Sequence, residues 1–410
     1  MNKLGFEKLV FSKEAVHELL REYGSPLYVY DEETLRKRCQ EMKNLMKYPL
    51  FRVNYSAKAN TNVELLKIIC SEGLDVDGMS PGEMHLEMKA GFSSDRITFI
   101  GNNVSRNELQ FAVNQDILVS VDSLSQLRLL GEINRGGRVC LRINPGIGAG
   151  HHDKVITGGK KAKFGIAIED LNLAQDIAAN YDMTIIGLNH HIGSLFLESK
   201  AYVEAAAGIL ELAATLPSVE MVDLGGGFGI PYRHGIESRL DLAVLGNELD
   251  NLVEDWVASH RSINIRTEPG RYVVAECGAL LGTVTAVKEN YNTFFIGTDI
   301  GFNTLVRPVM YDSYHEISVV PQEDRPYQEY DKAVYVVGQI CESGDILAHD
   351  RVFPCCQEGD ALIVHDAGAY GFTMASNYNS RPLPAEILLE KNGGIRLIRK
   401  AQTLEDLWKD

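Results

Sequence analysis

The chain has 410 residues, 45% of them hydrophobic, which is more than one ordinary domain needs and enough to bury two cores. Its 40 basic against 56 acidic side chains leave a net charge of -16, which repels phosphate backbones and anionic lipid and argues against a nucleic-acid or membrane-surface role. No apolar run approaches the roughly 20 residues of a membrane span, and the N-terminal stretch mixes Lys, Glu and Arg with short apolar pairs instead of a signal-peptide core, so a cytoplasmic protein is expected.

Residues 1–26 are too few for a core of their own and should pack on another part of the chain. From residue 52 onward, short β-branched runs alternate with amphipathic stretches, the pattern of parallel strands joined by crossover helices. Strands are expected at 52–56, 74–77, 97–100, 117–121, 139–143, 184–189, 221–224 and 263–267. Helices are expected between them, including 63–71, 81–90, 123–133, 201–215 and 242–259, with Pro81 and Ser123 as helix-start residues. Eight such units predict an α/β fold built on a (β/α)8 TIM-type barrel. After Arg271 the helical period fades and β-type runs follow at 273–288, 293–299, 333–338, 361–364, 386–389 and 395–399. The expected organisation is a barrel over 27–270 and a β-rich barrel or sandwich domain over 271–410, completed by 1–26.

A barrel of this kind carries its chemistry where strands end. Lys58 follows the first strand and Asp77 ends the second; Arg142 and Asn144 lie at the fifth, His191 at the sixth. Gly225, Gly226 and Gly227 follow the seventh, and Glu268-Pro-Gly270-Arg271 the eighth. Asn102 and Asp122 also fall at strand ends but read as ordinary loop polarity, Asp122 standing beside a helix cap. Lys58 sits among small residues after an apolar strand, which suits an amine that forms a Schiff base. Glycines with Arg271 at the last two strand ends suit an anion, because backbone N–H groups and a guanidinium reach it closely. Amine, anion site and the carboxylate of Glu268 together ask for a flat, phosphorylated, aldehydic and basic ligand, which pyridoxal 5'-phosphate satisfies.

The seven cysteines, Cys39, Cys70, Cys140, Cys277, Cys341, Cys355 and Cys356, are odd in number and lack CxxC spacing, so neither a disulfide framework nor a zinc site is indicated. The pairs His151-His152 and His190-His191 lack the spacing that puts two ligands on one helix face, and no metal is expected. The lysine- and glycine-rich stretch 151–163 reads equally well as an active-site loop or a solvated insertion.

Six blocks, Tyr55-Ser-Ala-Lys-Ala-Asn60, His190-His-Ile-Gly-Ser194, Gly225-Gly-Gly-Phe228, Glu268-Pro-Gly-Arg271, Cys341-Glu-Ser-Gly-Asp345 and Asp366-Ala-Gly-Ala-Tyr-Gly371, stand in one order along the chain. As a set they resemble the fold-type III pyridoxal-phosphate-dependent decarboxylases. Arg307-Pro-Val-Met-Tyr311, Cys341-Glu-Ser343 and Ser376-Asn-Tyr-Asn-Ser-Arg-Pro382 are similar to the branch of that family whose substrate is meso-2,6-diaminopimelate.

The resemblance implies that Lys58 holds the cofactor and that His191 stacks on its ring. Ser194, the three glycines, Gly270, Arg271 and Tyr370 would lie near the phosphate or substrate, and Glu268 would bond the pyridine nitrogen. Cys341 would donate a proton after CO2 leaves. Arg307 and Tyr311, with Arg271 and Tyr370 beside them, would take substrate carboxylate, and Glu342 the distal ammonium. Asp77 and Arg142 would support the site, a structural salt bridge being an equally good reading. A homodimer with shared sites is implied, Cys341 and Glu342 reaching the partner's barrel. Decarboxylases of ornithine, arginine or carboxynorspermidine fit less well, because Arg307 would lack a carboxylate. A non-catalytic homologue would be expected to have lost Lys58 or Cys341. Gln339, where a proline is common in the family, and Tyr272, where a serine is frequent, put loop conformation in doubt more than reaction type.

Overall fold

The computed structural model describes residues 12–146 and 162–409. The chain divides into two compact units, one comprising Arg36–Ile230 with Ser238–Val273, the other Met1–Leu35 with Pro231–Glu237 and Val274–Asp410. The stretch 151–163 lies outside the described residues but for its last two positions.

The first element of the described residues is helix α1 (Lys13–Tyr23), started by Ser12, whose hydroxyl accepts the Ala15 N–H at 3.2 Å. Strand β1 (Leu27–Asp31) follows. Sequence patterning places residues 27 onward with the barrel, but β1 instead enters the sheet of the other unit, so the division falls at Leu35. The apolar run Leu27-Tyr-Val-Tyr30 suits a strand without naming its partner, and pairing is a long-range choice.

In the larger unit, β2 (Phe51–Ser56), β3 (Asp75–Gly78), β4 (Ile97–Phe99), β5 (Leu118–Val121), β6 (Arg138–Asn144), β8 (Thr184–Asn189), β9 (Met221–Asp223) and β10 (Asn264–Thr267) pair in parallel; β7 (Ile166–Ala167) extends the end of β6. β10 pairs β2 and β5 pairs β6, which closes the ring as a TIM-type barrel. Each expected strand is present, with no end shifted by more than one residue. Helix starts follow ordinary capping chemistry: the hydroxyls of Ser80, Ser105 and Ser123 accept N–H groups three residues on, and Pro81 occupies the first turn of its helix.

The barrel interior is unusually polar. Asn54 Nδ2 donates to Asp223 Oδ2 at 3.3 Å, Ser120 Oγ to Asn189 Oδ1 at 2.8 Å, and Arg266 Nη1 to Thr98 Oγ1 at 3.1 Å. These bonds span the lumen between non-adjacent strands, in place of the branched aliphatic layers that fill most such barrels. Each of these side chains gains one partner across the lumen, while Asn54 Oδ1, Asn189 Nδ2 and Arg266 Nε have none among the described residues.

In the smaller unit a nine-stranded sheet runs from β11 (Gly278–Asn290) through β12 (Thr293–Thr298), β13 (Ile317–Val320), β14 (Val334–Val337), β15 (Ile346–Arg351), β16 (Ala361–Val364), β17 (Ala385–Leu389) and β18 (Ile395–Arg399), with β1 among them. β1 lies between β11, antiparallel, and β17, parallel, so the N-terminal segment is a central strand and not an edge. Val16 and Leu19 of α1 pack with Leu27, Val29, Leu281, Ile363 and Ile387. Burying each is worth about 1.5–3 kcal/mol. The β run expected from residue 273 starts later: Arg271–Val274 form a helical turn, and the strand begins only at Gly278. No helix among the described residues is long and apolar enough to cross a membrane.

Candidate active site

Lys58 projects from a 3-10 turn (Ala57–Ala59) at the end of β2. The turn is held by the Tyr55 hydroxyl, which donates to the Asn60 carbonyl at 3.0 Å, while Asn60 Oδ1 accepts the Asn62 N–H at 3.0 Å. Asn62 in turn caps the next helix through the Glu64 N–H. Gly270 abuts this strand end: a Cβ there would sit 3.1 Å from Ser56 Cβ and Ala59 Cβ. A side chain here would press the eighth strand end against the first, and the neighbours would have to give by a few tenths of an ångström.

The buried acids around the lysine are arranged by the same strand ends. Asp77, fully buried, accepts from Ser56 Oγ at 3.0 Å. Burial, then the Glu268 charge, raises its carboxyl, while Lys58 opposes the shift. Glu268 is 7% exposed and also raised by burial, with the Lys58 and Arg142 charges working the other way. Asp77 Oδ1 and Glu268 Oε1 have no hydrogen-bond partner among the described residues. Arg142 is buried, its guanidinium 4.6 Å from the centre of the Phe164 ring.

The two adjacent histidines differ. His190 is 1% exposed, and burial lowers it to about 4, so it is a neutral core residue. His191 accepts the Gly226 N–H on Nδ1 at 3.1 Å, which puts its own ring proton on Nε2. Burial, then the charges of Lys58 and Arg142, holds it well below the usual histidine range. His191 is thus neutral, with a defined tautomer.

The glycine run after β9 joins three strand ends. A Cβ on Gly225 would lie 2.2 Å from the His190 carbonyl oxygen, on Gly226 2.0 Å from that of Glu268, and on Gly227 2.4 Å from that of Gly193. Gly225 and Gly227 also have φ of +73° and +105°. Any side chain here would force the loops apart. Arg271 Nη2 donates to Ser194 Oγ at 3.0 Å beside this run. Tyr272, the departure from the familiar serine, donates its hydroxyl to Glu41 Oε2 at 2.9 Å within the same unit.

The remaining candidates belong to the β-rich unit. Arg307 and Tyr311 share one short helix (Arg307–Tyr311), and Arg307 is 2% exposed. Cys341 and Glu342 lie on an exposed turn clamped from beneath by Asp345, whose Oδ2 accepts the Ile340 N–H and whose Oδ1 accepts the Phe302 N–H, each at 2.7 Å. Gln339 is built into this turn through the Asp299 carbonyl at 2.8 Å and Arg381, which donates to the Gln339 carbonyl at 3.3 Å. Two contacts reach the turn from residues that the sequence pattern does not single out. Asn379 Oδ1 accepts the Cys341 N–H at 2.8 Å, and the Tyr378 hydroxyl donates to Glu342 Oε1 at 2.7 Å. Their only signal was membership of the 376–382 block. Tyr370 has φ +56° and is half-buried.

One buried acid stands apart from this chemistry. Glu87 is 0% exposed, neither carboxylate oxygen has a partner among the described residues, and burial followed by the Asp77 and Glu83 charges raises it to about 9. Folded protein keeps this proton while unfolded chain loses it near 4.5, so Glu87 costs nothing below that value and destabilises increasingly as pH rises toward about 9. Glu87→Gln should therefore be more stable, its advantage in urea titrations widening by about 1 kcal/mol per pH unit between about pH 5 and pH 8. Parallel stability curves would mean that Glu87 is ionised in the fold.

A barrel mouth with one amine, a buried carboxylate bearing an unsatisfied oxygen, and a glycine-lined arginine and serine fits a phosphorylated pyridine aldehyde. Residues 32–275 match the family described as pyridoxal-dependent decarboxylase, pyridoxal binding domain, and pyridoxal phosphate is the cofactor. Over 97% of its length the chain is 41% identical to diaminopimelate decarboxylase of Methanothermobacter thermautotrophicus, covering 94% of that protein. The Escherichia coli K12 enzyme of the same name is 35% identical over 96% of the chain and 95% of its own length. The crystal structure of diaminopimelate decarboxylase from Helicobacter pylori complexed with L-lysine superposes with a TM-score of 0.88 at 31% identity, over 95% of this chain and 98% of that one. The chain belongs to the diaminopimelate decarboxylase family of pyridoxal-phosphate-dependent decarboxylases.

Proposed function

We propose that this protein converts meso-2,6-diaminopimelate to L-lysine and CO2, with Lys58 as the amine that attaches the cofactor and Cys341 as the proton donor. Full-length similarity to enzymes of that name, joined to the presence of Arg307, Tyr311 and Glu342, carries the reading. When bound, the cofactor supplies an electron sink for the pair released as CO2 departs.

The protein's own residues do the rest. Glu268 would hold a proton on the ring nitrogen from its buried position at the end of β10. Neutral His191 presents a flat face, kept in one orientation by the Gly226 N–H. Ser194, Arg271 and the turn at 225–227 take the phosphate, with Gly270 allowing the loops to close around it and Tyr370 beside it. Asp77 and Arg142 set the local charge balance around Lys58 and Glu268.

Cys341 Sγ delivers a proton to the carbon that has lost its carboxylate and is recharged from solvent. It is the exposed thiol, whereas Cys39, Cys140, Cys277 and Cys356 are buried, with burial pushing Cys140 and Cys356 up to about 12. Arg307 and Tyr311 hold the carboxylate at the unreacted end, and Glu342, oriented by Tyr378, holds the ammonium there. A substrate without that carboxylate would bury the guanidinium without the anion it is placed to hold, which disfavours ornithine and arginine. The active species is a homodimer in which Cys341 and Glu342 of one protomer complete the Lys58 site of the other.

The test is a substrate panel on cofactor-loaded protein: meso- and LL-diaminopimelate, L- and D-ornithine and L-arginine, with CO2 and amine product measured. Release of L-lysine from the meso isomer alone is expected. Turnover of ornithine or arginine with silence on diaminopimelate would overturn the roles of Arg307, Tyr311 and Glu342 while leaving the cofactor reading intact.

A further inference from the structure

We propose that His315 is the positioning residue for Arg307 and thereby sets how tightly the substrate's distal carboxylate is held. The inference rests on the assignment of Arg307 to that carboxylate. An arginine on a short helix has a long, many-rotamer stem, so a buried guanidinium needs fixed acceptors to stay in one place. Arg307 Nη1 lies 2.8 Å from His315 Nε2, and Nη2 donates to Ser313 Oγ at 3.4 Å. The guanidinium also lies over the Tyr232 ring at 4.7 Å, and that ring meets His315 edge-on at 5.3 Å.

The second ring nitrogen decides what His315 can be. Its Nδ1 lies 2.8 Å from the His365 carbonyl oxygen. A carbonyl only accepts and a guanidinium only donates, so the ring carries its proton on Nδ1 and offers a bare lone pair at Nε2. His315 is 1% exposed, so both bonds are shielded from bulk solvent. The far anchor is itself rigid: the His365 N–H donates to the Glu316 carbonyl at 2.9 Å, its Nε2 meets Ser318 Oγ at 2.9 Å, and β13 and β16 pair beside it. His365 immediately precedes the Asp366–Gly371 motif. The imidazole is thus a strut between sheet and helix, and its acceptor determines where the guanidinium points.

The test uses four holoenzyme variants, His315→Asn, His315→Gln, Arg307→Gln and the Arg307→Gln/His315→Asn double variant. KM and kcat for meso-diaminopimelate, equilibrium affinity for L-lysine, cofactor content and thermal midpoint are measured for each. Asparagine keeps a donor for the His365 carbonyl but removes the imidazole acceptor from Arg307 Nη1. KM should rise about 10- to 100-fold and lysine affinity fall in parallel, with kcat within about threefold. Glutamine puts a carbonyl oxygen near the place of Nε2 and should recover most of the loss. Because His315 acts through Arg307, the double variant should bind no worse than Arg307→Gln alone. Unchanged KM in His315→Asn beside a raised KM in Arg307→Gln would overturn the strut and leave Arg307 in place. No effect in Arg307→Gln would overturn the carboxylate assignment itself. Equal losses of kcat, cofactor and thermal midpoint in both His315 variants, without rescue by glutamine, would make the histidine a folding residue and overturn the proposal.

Discussion

Lys58→Ala is expected to lower turnover of meso-diaminopimelate by roughly 10⁴-fold, the upper end of what one positioned proton-transfer group supplies, because the same amine also attaches the cofactor. Dialysis should strip pyridoxal phosphate from the variant and not from the wild type, since only phosphate and ring contacts remain. The fold should survive: Lys58 is half-buried at a strand end, and the turn around it is held by Tyr55, Asn60 and Asn62. Cys341→Ala should be similarly impaired in kcat while keeping its cofactor. Mixing the two inactive proteins after reversible dissociation is then decisive about shared sites. In a mixed dimer both lesions fall in one site and the other site is whole, so a random mixture should recover about a quarter of wild-type activity. Zero recovery, with mixed dimers shown to form, would place Lys58 and Cys341 of the same protomer together.

Glu268→Gln should cut kcat by roughly 10²- to 10³-fold with little change in KM, as expected when a charge matters mainly in the transition state. The carboxylate is 7% exposed, in a pocket where burial makes each charge count, and glutamine keeps its size while losing the ability to hold a proton on the ring nitrogen. Cofactor content should remain close to wild type. A variant with near-normal kcat would show that the electron sink does not depend on this residue. A variant that loses cofactor and stability together would point to the lumen network instead, because Asp223 and Asn189 lie close by.

Much of the barrel was legible in the chain because its strands are short β-branched runs, and eight such runs at helix-length spacing admit few arrangements. The polar residues that end those runs were equally legible. Strand β1 was not: the run from Leu27 to Asp31 looks the same whichever sheet it joins, and its neighbours Ala385–Leu389 stand at the far end of the chain. The helical turn at Arg271–Val274 was hidden by β-branched valines, whose propensity yields to the tight connection after Pro269 and Gly270.

The same split runs through the candidate site. Residue types and order along the chain single out an amine, an acid and a glycine run as candidates, and the family resemblance adds a thiol and an arginine-tyrosine pair, because each chemistry needs a particular side chain. What only the tertiary structure decided is which atoms are already committed: that Gly226 fixes the His191 tautomer, that Asp345 clamps the Cys341 turn, that Tyr378 orients Glu342, and that His315 must be neutral between a carbonyl and a guanidinium. The His191, Glu342 and His365 contacts join residues 35, 36 and 50 positions apart, so no local pattern encodes them. The chain dictates the inventory of groups, and long-range packing dictates their protonation and aim.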